Sequence, residues 1–182
     1  MIRRPPRSTL DRSSAASDVY KRQDLITQKI LKKEQLQQRV AQWRMQGKKI
    51  AFTNGVFDIL HKGHIYSLSQ AASEADYLIV GVNSDSSVKR LKGDNRPINN
   101  EEARALILAS LIMTDGVVLF EEDTPLELIK IIMPDVLVKG GDYTVEQVVG
   151  AKEVAAAGGR VVINPILDGF STTSIIDQSK KG

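Results

Sequence analysis

The chain contains no cysteine. That absence excludes disulfide scaffolds, redox thiols, thiol nucleophiles and any zinc site built on thiolates. It also suits a cytoplasmic protein, the compartment expected for it. Histidine is nearly as scarce, with two in 182 residues, and aromatic residues make up 5%. No apolar run approaches the ~20 residues needed to span a bilayer, so no membrane partner is expected. The 42% hydrophobic content is nevertheless ample for one core.

An excess of one charge is confined to one end. The formal net charge is +3 with a pI near 9.1. Residues 1–23 hold Arg3, Arg4, Arg7, Arg12, Lys21 and Arg22 against only Asp11 and Asp18. The remaining chain is therefore close to neutral and slightly acidic, which argues against a nucleic-acid partner. The 1–23 segment is rich in arginine and serine, carries Pro5-Pro6 and lacks apolar periodicity, so it reads as a disordered tail. It has neither a signal-peptide core nor a transit-peptide pattern. Its part from Ser13 to Gln23 looks like translated sequencing-adapter sequence and is treated as non-native.

What the chain does have is concentrated after the first apolar strand. Both histidines fall in Asn54-Gly55-Val56-Phe57-Asp58-Ile59-Leu60-His61-Lys62-Gly63-His64. The run Ile50-Ala51-Phe52 reads as an interior strand that Thr53-Asn54-Gly55 ends. From Ile65, apolar positions at 65, 68 and 72 recur at helical spacing, so His61 and His64 bracket the first turn of a helix. Helix N-termini favour phosphate, Gly63 lets the backbone come close, and two imidazoles add donors for a charged phosphoryl oxygen. The competing readings are structural histidines or metal ligands. Two histidines around a glycine, with no cysteine to complete a zinc set, favour phosphate handling, and no protein metal site is expected.

Beyond this point the pattern alternates helix and strand, as expected for an α/β, Rossmann-like, doubly wound five-stranded parallel sheet. Leu36, Val40 and Trp43 lie on one face of an opening helix within a 24–47 helical segment, ahead of a domain over 48–182. Strands are expected over 49–53, 77–82, 116–120, 136–139 and 160–165, and helices over 65–75, 101–111, 125–133 and 145–157. A sheet that reverses direction beside its first strand opens a crevice at the strands' carboxyl ends, where every polar motif of this chain falls.

Three of those motifs have bland alternatives. Lys92-Gly93-Asp94-Asn95-Arg96-Pro97 is either a solvated turn or a mobile cationic loop able to close over a triphosphate. Lys139-Gly140-Gly141-Asp142 is either a turn that needs two glycines or a lysine aimed into the crevice beside backbone open to a purine. Ser171-Thr172-Thr173-Ser174 is either a flexible polar loop with a helix cap or a set of hydroxyls for the β- and γ-phosphates.

Taken with Gly81-Val82-Asn83-Ser84-Asp85 and the run from Lys89 to Pro97, these segments resemble the HxGH nucleotidyltransferase superfamily, from about Trp43 to the C-terminus. Within it they look most like the adenylyltransferases of ADP-heptose synthesis. The resemblance implies transfer of AMP from ATP to D-glycero-β-D-manno-heptose 1-phosphate for lipopolysaccharide core synthesis, with Mg²⁺ carried mostly by phosphate and water. It implies catalytic roles for His61, His64 and Lys92. Nucleotide binding falls to Asn54, Gly55, Phe57, Gly63, Asp85, Arg96, Lys139, Gly140, Gly141, Asp142, Ser171, Thr172 and Thr173. Asp58 is assigned to holding its loop in shape.

Related cytidylyltransferases have an arginine where Ile166 stands here, which weighs against a cytidylyl reading. Some members are fused to a sugar kinase. The residues before Trp43 are too few for one, so a stand-alone form with a separate upstream kinase is expected, and a homo-oligomer is left open. The alternatives are a cytidylyltransferase acting on glycerol 3-phosphate or a similar small phosphate, and a non-catalytic nucleotide-binding module on the same fold. A dinucleotide oxidoreductase is not expected, because residues 54–64 lack the G-x-G-x-x-G spacing.

Overall fold

The computed structural model describes residues 24–165. Five strands, β1 (Ile50–Gly55), β2 (Tyr77–Asn83), β3 (Gly116–Phe120), β4 (Val136–Gly140) and β5 (Arg160–Asn164), form one sheet in the order β3-β2-β1-β4-β5. Every neighbouring pair is parallel. The order reverses beside β1, where Ala51 and Phe52 pair with Val136 and Leu137 on one side and with Leu78 and Ile79 on the other. This is the doubly wound arrangement read from the sequence.

Strand residues alternate between two buried faces, as their period of two requires. Ile50, Phe52, Ile79, Val118 and Leu137 join one core cluster with Leu36, Trp43, Leu128, Ile129, Ile132 and Val154. That face is covered by α1 (Lys33–Met45), α5 (Leu126–Ile132) and α6 (Ala151–Ala156). Ala51, Leu78, Val80, Val117 and Val138 join the other with Leu68, Ala105 and Leu108. There the cover is α2 (Lys62–Ala72) and α4 (Glu101–Ala109). Burial on both faces explains why the strands read as continuous apolar runs.

The segment ahead of β1 is part of this packing. Trp43 of α1 stacks on Tyr77 of β2 with ring centroids 4.1 Å apart, and Leu31 donates its amide to the Val117 carbonyl at 2.8 Å.

The structure departs from the expected elements in four places. β1 runs on to Gly55, because Asn54 and Gly55 pair with Gly81 and Val82 in place of turning. α2 begins at Lys62 and not at Ile65, because His61 supplies its cap. The expected helix over 145–157 is a 3₁₀ turn, Val145–Gln147, followed by the short α6, with Gly150 between them at φ 85°. A fourth element, α3 (Asp85–Lys92), has no counterpart in the expected pattern. Ser84 caps it by accepting from the Ser87 amide, and Lys89, Arg90 and Lys92 occupy its last turn, where cations suit the helix dipole.

Among the described residues no helix is long and apolar enough to cross a membrane.

Candidate active site

The reversal of strand order leaves a crevice at the carboxyl ends of β1 and β4. Asn54, Gly55, Val56 and Lys139 form a ridge shared by two hollows. The smaller, about 150 Å³, is closed by Phe57, His64, Ser67 and Gly140. The larger, about 530 Å³, extends past Asn83, Leu91 and Lys92 to Thr124, Tyr143 and Gln147. A histidine therefore faces one side of the ridge and a lysine the other.

The histidine pair is built by the start of α2. His61 has extended backbone, φ −141° and ψ 172°, and its Nδ1 makes a long 3.4 Å contact with the His64 amide, which also donates to the His61 carbonyl at 2.9 Å. The two rings stack with centroids 3.8 Å apart and planes 21° apart. Phe57 adopts φ 51°, in the left-handed region, and its ring meets His64 edge-on at 5.3 Å. That turn carries the Phe57 ring back over Gly55, where a Cβ would lie 3.0 Å from it. Glycine at 55 thus permits the aromatic wall beside His64.

Burial lowers the pKa of both imidazoles. His64, whose Nδ1 is buried without a hydrogen-bond partner among the described residues, is pushed down to about 4. Burial is the first cause and His61 the second, the Ile59 carbonyl opposes them, and Lys92 adds least. Burial alone moves His61 in the same direction. At neutral pH both rings are uncharged and each carries one N–H donor. Burial likewise lowers the Lys139 pKa, and its Nζ stands 5.6 Å from the centre of the Tyr143 ring.

The remaining expected residues divide between the crevice and its support. Asn54, Gly55, Phe57, His64, Lys92, Lys139 and Gly140 all line it, and His61 joins through His64. Gly63 lies in the first turn of α2. Gly141, at φ 129°, turns the chain after β4 and donates to the Asn164 carbonyl at 3.2 Å, while Asp142 is exposed. Ser171, Thr172, Thr173 and Ile166 lie outside the described residues, as does the 1–23 tail.

Arg96 and Asp85 are engaged within the protein. Arg96 Nε donates to Asp58 Oδ2 at 2.6 Å, and the amides of Ile98 and Asn99 donate to Asp58 Oδ1 at 2.8 and 2.9 Å. Asn99 Nδ2 returns to the Asp58 carbonyl at 2.6 Å. Asp58 is 2% exposed, and its contacts pin residues 96–99 against the chain that leads to His61. The loop after Lys92, read from the sequence as either a solvated turn or a mobile cationic loop, is thus tethered at one end. Asp85 Oδ1 accepts from Arg104 Nη2 at 2.7 Å, and its amide donates to Glu101 Oε2 at 2.7 Å.

Arg104 is the participant that sequence reasoning missed. It is 1% exposed inside α4, and its guanidinium also donates to the carbonyls of Val56 at 2.7 Å and Asn99 at 3.0 Å. The available signal was an arginine falling on the same helix face as Leu108, in the apolar stripe of α4.

Comparison with known proteins bears on the family and the fold. The cytidylyltransferase-like family model matches residues 52–178. "Bifunctional protein HldE" of Rhodopseudomonas palustris (strain BisB5) is 57% identical over 148 residues, covering 81% of this chain and 30% of that protein. The protein of the same name from Hyphomonas neptunium is 59% identical over 143 residues, covering 79% and 29%. The chain thus spans about 30% of the length of the curated relatives it matches.

Among solved structures, the lipopolysaccharide core biosynthesis protein of Thermoplasma volcanium GSS1 is similar with a TM-score of 0.55 and 28% identity, covering 66% of this chain and 98% of that one. A pantoate-beta-alanine ligase from Francisella tularensis shares the fold at a TM-score of 0.55 and 18% identity, covering 83% of this chain and 76% of that one. With the family model matched over most of its length and its two histidines at a helix start beside the reversal of strand order, the chain belongs to the cytidylyltransferase-like family of nucleotidyltransferases.

Proposed function

We propose that this chain transfers AMP from ATP to D-glycero-β-D-manno-heptose 1-phosphate, forming ADP-heptose and pyrophosphate for lipopolysaccharide core synthesis. The observation that carries the proposal is the pair of hollows meeting at the ridge of Asn54, Gly55, Val56 and Lys139, with His64 on one side and Lys92 on the other. A two-substrate transfer needs two adjoining subsites with cations and neutral donors at their junction. The smaller hollow, beside His64, suits the phosphates of ATP. The larger suits a sugar phosphate, with Lys92 for its phosphate and Thr124, Tyr143 and Gln147 as polar partners for hydroxyls. The choice of acceptor draws on the resemblance of residues 89–97 and 139–143 to heptose adenylyltransferases. The HldE relatives and the lipopolysaccharide core protein support the same choice.

The chemistry asks for placement more than for proton transfer. A sugar 1-phosphate has a second pKa near ~6, so its oxygen is already anionic at neutral pH and needs no strong base. That oxygen attacks the α-phosphorus of ATP as the bond from this phosphorus to the α,β-bridging oxygen breaks, and pyrophosphate leaves with the bond's electrons. His61 and His64 donate to the charge that builds on the α-phosphate, and Lys92 and Lys139 hold the flanking oxygens. Among the described residues no three carboxylates or imidazoles gather into a metal cage. This donor set fits a Mg²⁺ that arrives on the triphosphate and supplies charge neutralisation there. The acceptor calls for a sugar kinase acting earlier, on the anomeric hydroxyl.

The test is incubation of the chain with ATP, Mg²⁺ and heptose 1-phosphate, followed by ³¹P NMR. A pyrophosphate diester signal with equimolar pyrophosphate is expected. ATP binding without either product would leave only a non-catalytic nucleotide-binding module.

A further inference from the structure

We infer that Arg104 is a positioning residue of the transfer, clamping together the two segments that carry the histidine pair and Lys92. The inference rests on the nucleotidyltransferase reading of the crevice.

A fully buried guanidinium is costly unless every direction is paired, and an isolated one would not be kept in an apolar helix face. Here the fork is used three ways. Nη1 holds the Val56 carbonyl, Nη2 holds Asp85 Oδ1, and Nε holds the Asn99 carbonyl, all within 3.0 Å. Each acceptor belongs to a different part of the crevice wall. Val56 sits on the ridge, between Gly55 and the Phe57 that meets His64. Asp85 is the first residue of α3, and Lys92 is its last. Asn99 is bound in turn to Asp58, so the return of the 93–99 loop is tied into the same frame.

The lever explains why this matters. α3 has eight residues, so its ends are on the order of 10 Å apart. A small tilt where Asp85 is held is therefore magnified at Lys92. Glu101, also on α4, makes the second tie by accepting the Asp85 amide. One helix thus sets both the origin of α3 and the height of the ridge, although the Arg104 side chain has no exposed surface in the crevice. No other residue type would serve, because lysine offers one compact donor group where three divergent acceptors need a planar fork.

The experiment compares Arg104→Lys and Glu101→Ala with wild type, and with Ile132→Val as a control on the other sheet face. For Arg104→Lys, kcat is expected to fall ~30-fold or more with KM for ATP changed less than ~3-fold. For Glu101→Ala, on the half-buried first turn of α4, a ~5-fold loss of kcat with little change in melting temperature is expected. Ile132→Val should lower the melting temperature and leave kcat unchanged.

A second readout does not depend on turnover. The chain has only two histidines, so their imidazole signals can be separated with His61→Gln, and the titration midpoint of His64 should rise in Arg104→Lys as the wall around it loosens. Wild-type kcat in both variants with an unmoved His64 midpoint would overturn the inference. If Arg104→Lys does not fold, Glu101→Ala decides by the same two measurements. A wild-type chain that releases no pyrophosphate would sink the reaction proposed above, whereas an active wild type with equally active variants would sink only the role of Arg104.

Discussion

The imidazoles of His61 and His64 lie face to face, 3.8 Å between centroids, at the first turn of α2. Two rings that close and partly buried resist protonation, because a charge on either is desolvated and faces its neighbour. Burial leads and His61 follows in holding His64 at about 4, below its ordinary 6.5. The pair therefore reaches neutral pH as two uncharged donors.

That depression makes stability depend on pH in a stated direction. Above about pH 6.5 neither the folded nor the unfolded state protonates His64, so it contributes nothing. As pH falls through 6.5 the unfolded chain takes up the proton and the folded one does not until about 4, so stability drops across that window. Urea midpoints measured from pH 7.5 to 5 should decline for wild type and decline less for His64→Gln. Equal slopes would show that His64 is not held neutral by the fold.

Removing a donor to the developing charge should cost turnover without unfolding the protein. His64→Ala or His61→Ala is expected to lower kcat by ~100-fold or more, about 3 kcal/mol of lost transition-state stabilisation. Near-normal turnover in both, with native circular dichroism, would contradict the assignment.

Gly150 and Gly47 offer a matched pair of backbone tests. Both have positive φ, 85° and 70°, but a Cβ at 150 would lie 2.6 Å from Ile129 Cδ1 while one at 47 meets nothing within 4 Å. Gly47→Ala should cost only the conformational penalty, about 1 kcal/mol. Gly150→Ala adds a core clash and should cost about 2–3 kcal/mol. Urea denaturation measures both, and equal losses would show that the Ile129 contact relaxes freely.

The parts of the fold legible in the sequence are those whose burial is complete. Val117, Val118 and Val136 to Val138 read as strands because parallel strands covered on both faces are apolar throughout. α3 was not legible for the opposite reason. Asp85-Ser86-Ser87-Val88-Lys89-Arg90-Leu91-Lys92 has only two apolar residues, and its cap and dipole complement carry what its hydrophobic pattern does not. Gly150 broke the expected long helix because a residue at positive φ cannot continue one, and the close approach of Ile129 leaves no room there for a Cβ.

At the site, the histidine pair could be read from spacing, since a helix cap and the third residue of its first turn are neighbours by geometry. The support could not. Asp58 and Arg96 are 38 positions apart and Val56 and Arg104 are 48, so nothing local announces that one carboxylate draws Arg96 or that one guanidinium joins three segments. The charge of Arg96 was visible in the sequence, whereas its buried partner Asp58 was not.

The central claim is the choice of nucleotide and acceptor, and one matrix tests it most directly. ATP and CTP are each offered with heptose 1-phosphate and with glycerol 3-phosphate, and pyrophosphate release is followed. A site that hydrogen-bonds a base edge rejects the wrong base strongly, because the unmatched polar groups stay buried and unpaired. The account predicts that ATP exceeds CTP by at least ~100-fold in kcat/KM with heptose 1-phosphate. Faster turnover of CTP with glycerol 3-phosphate would contradict it and make the chain a cytidylyltransferase.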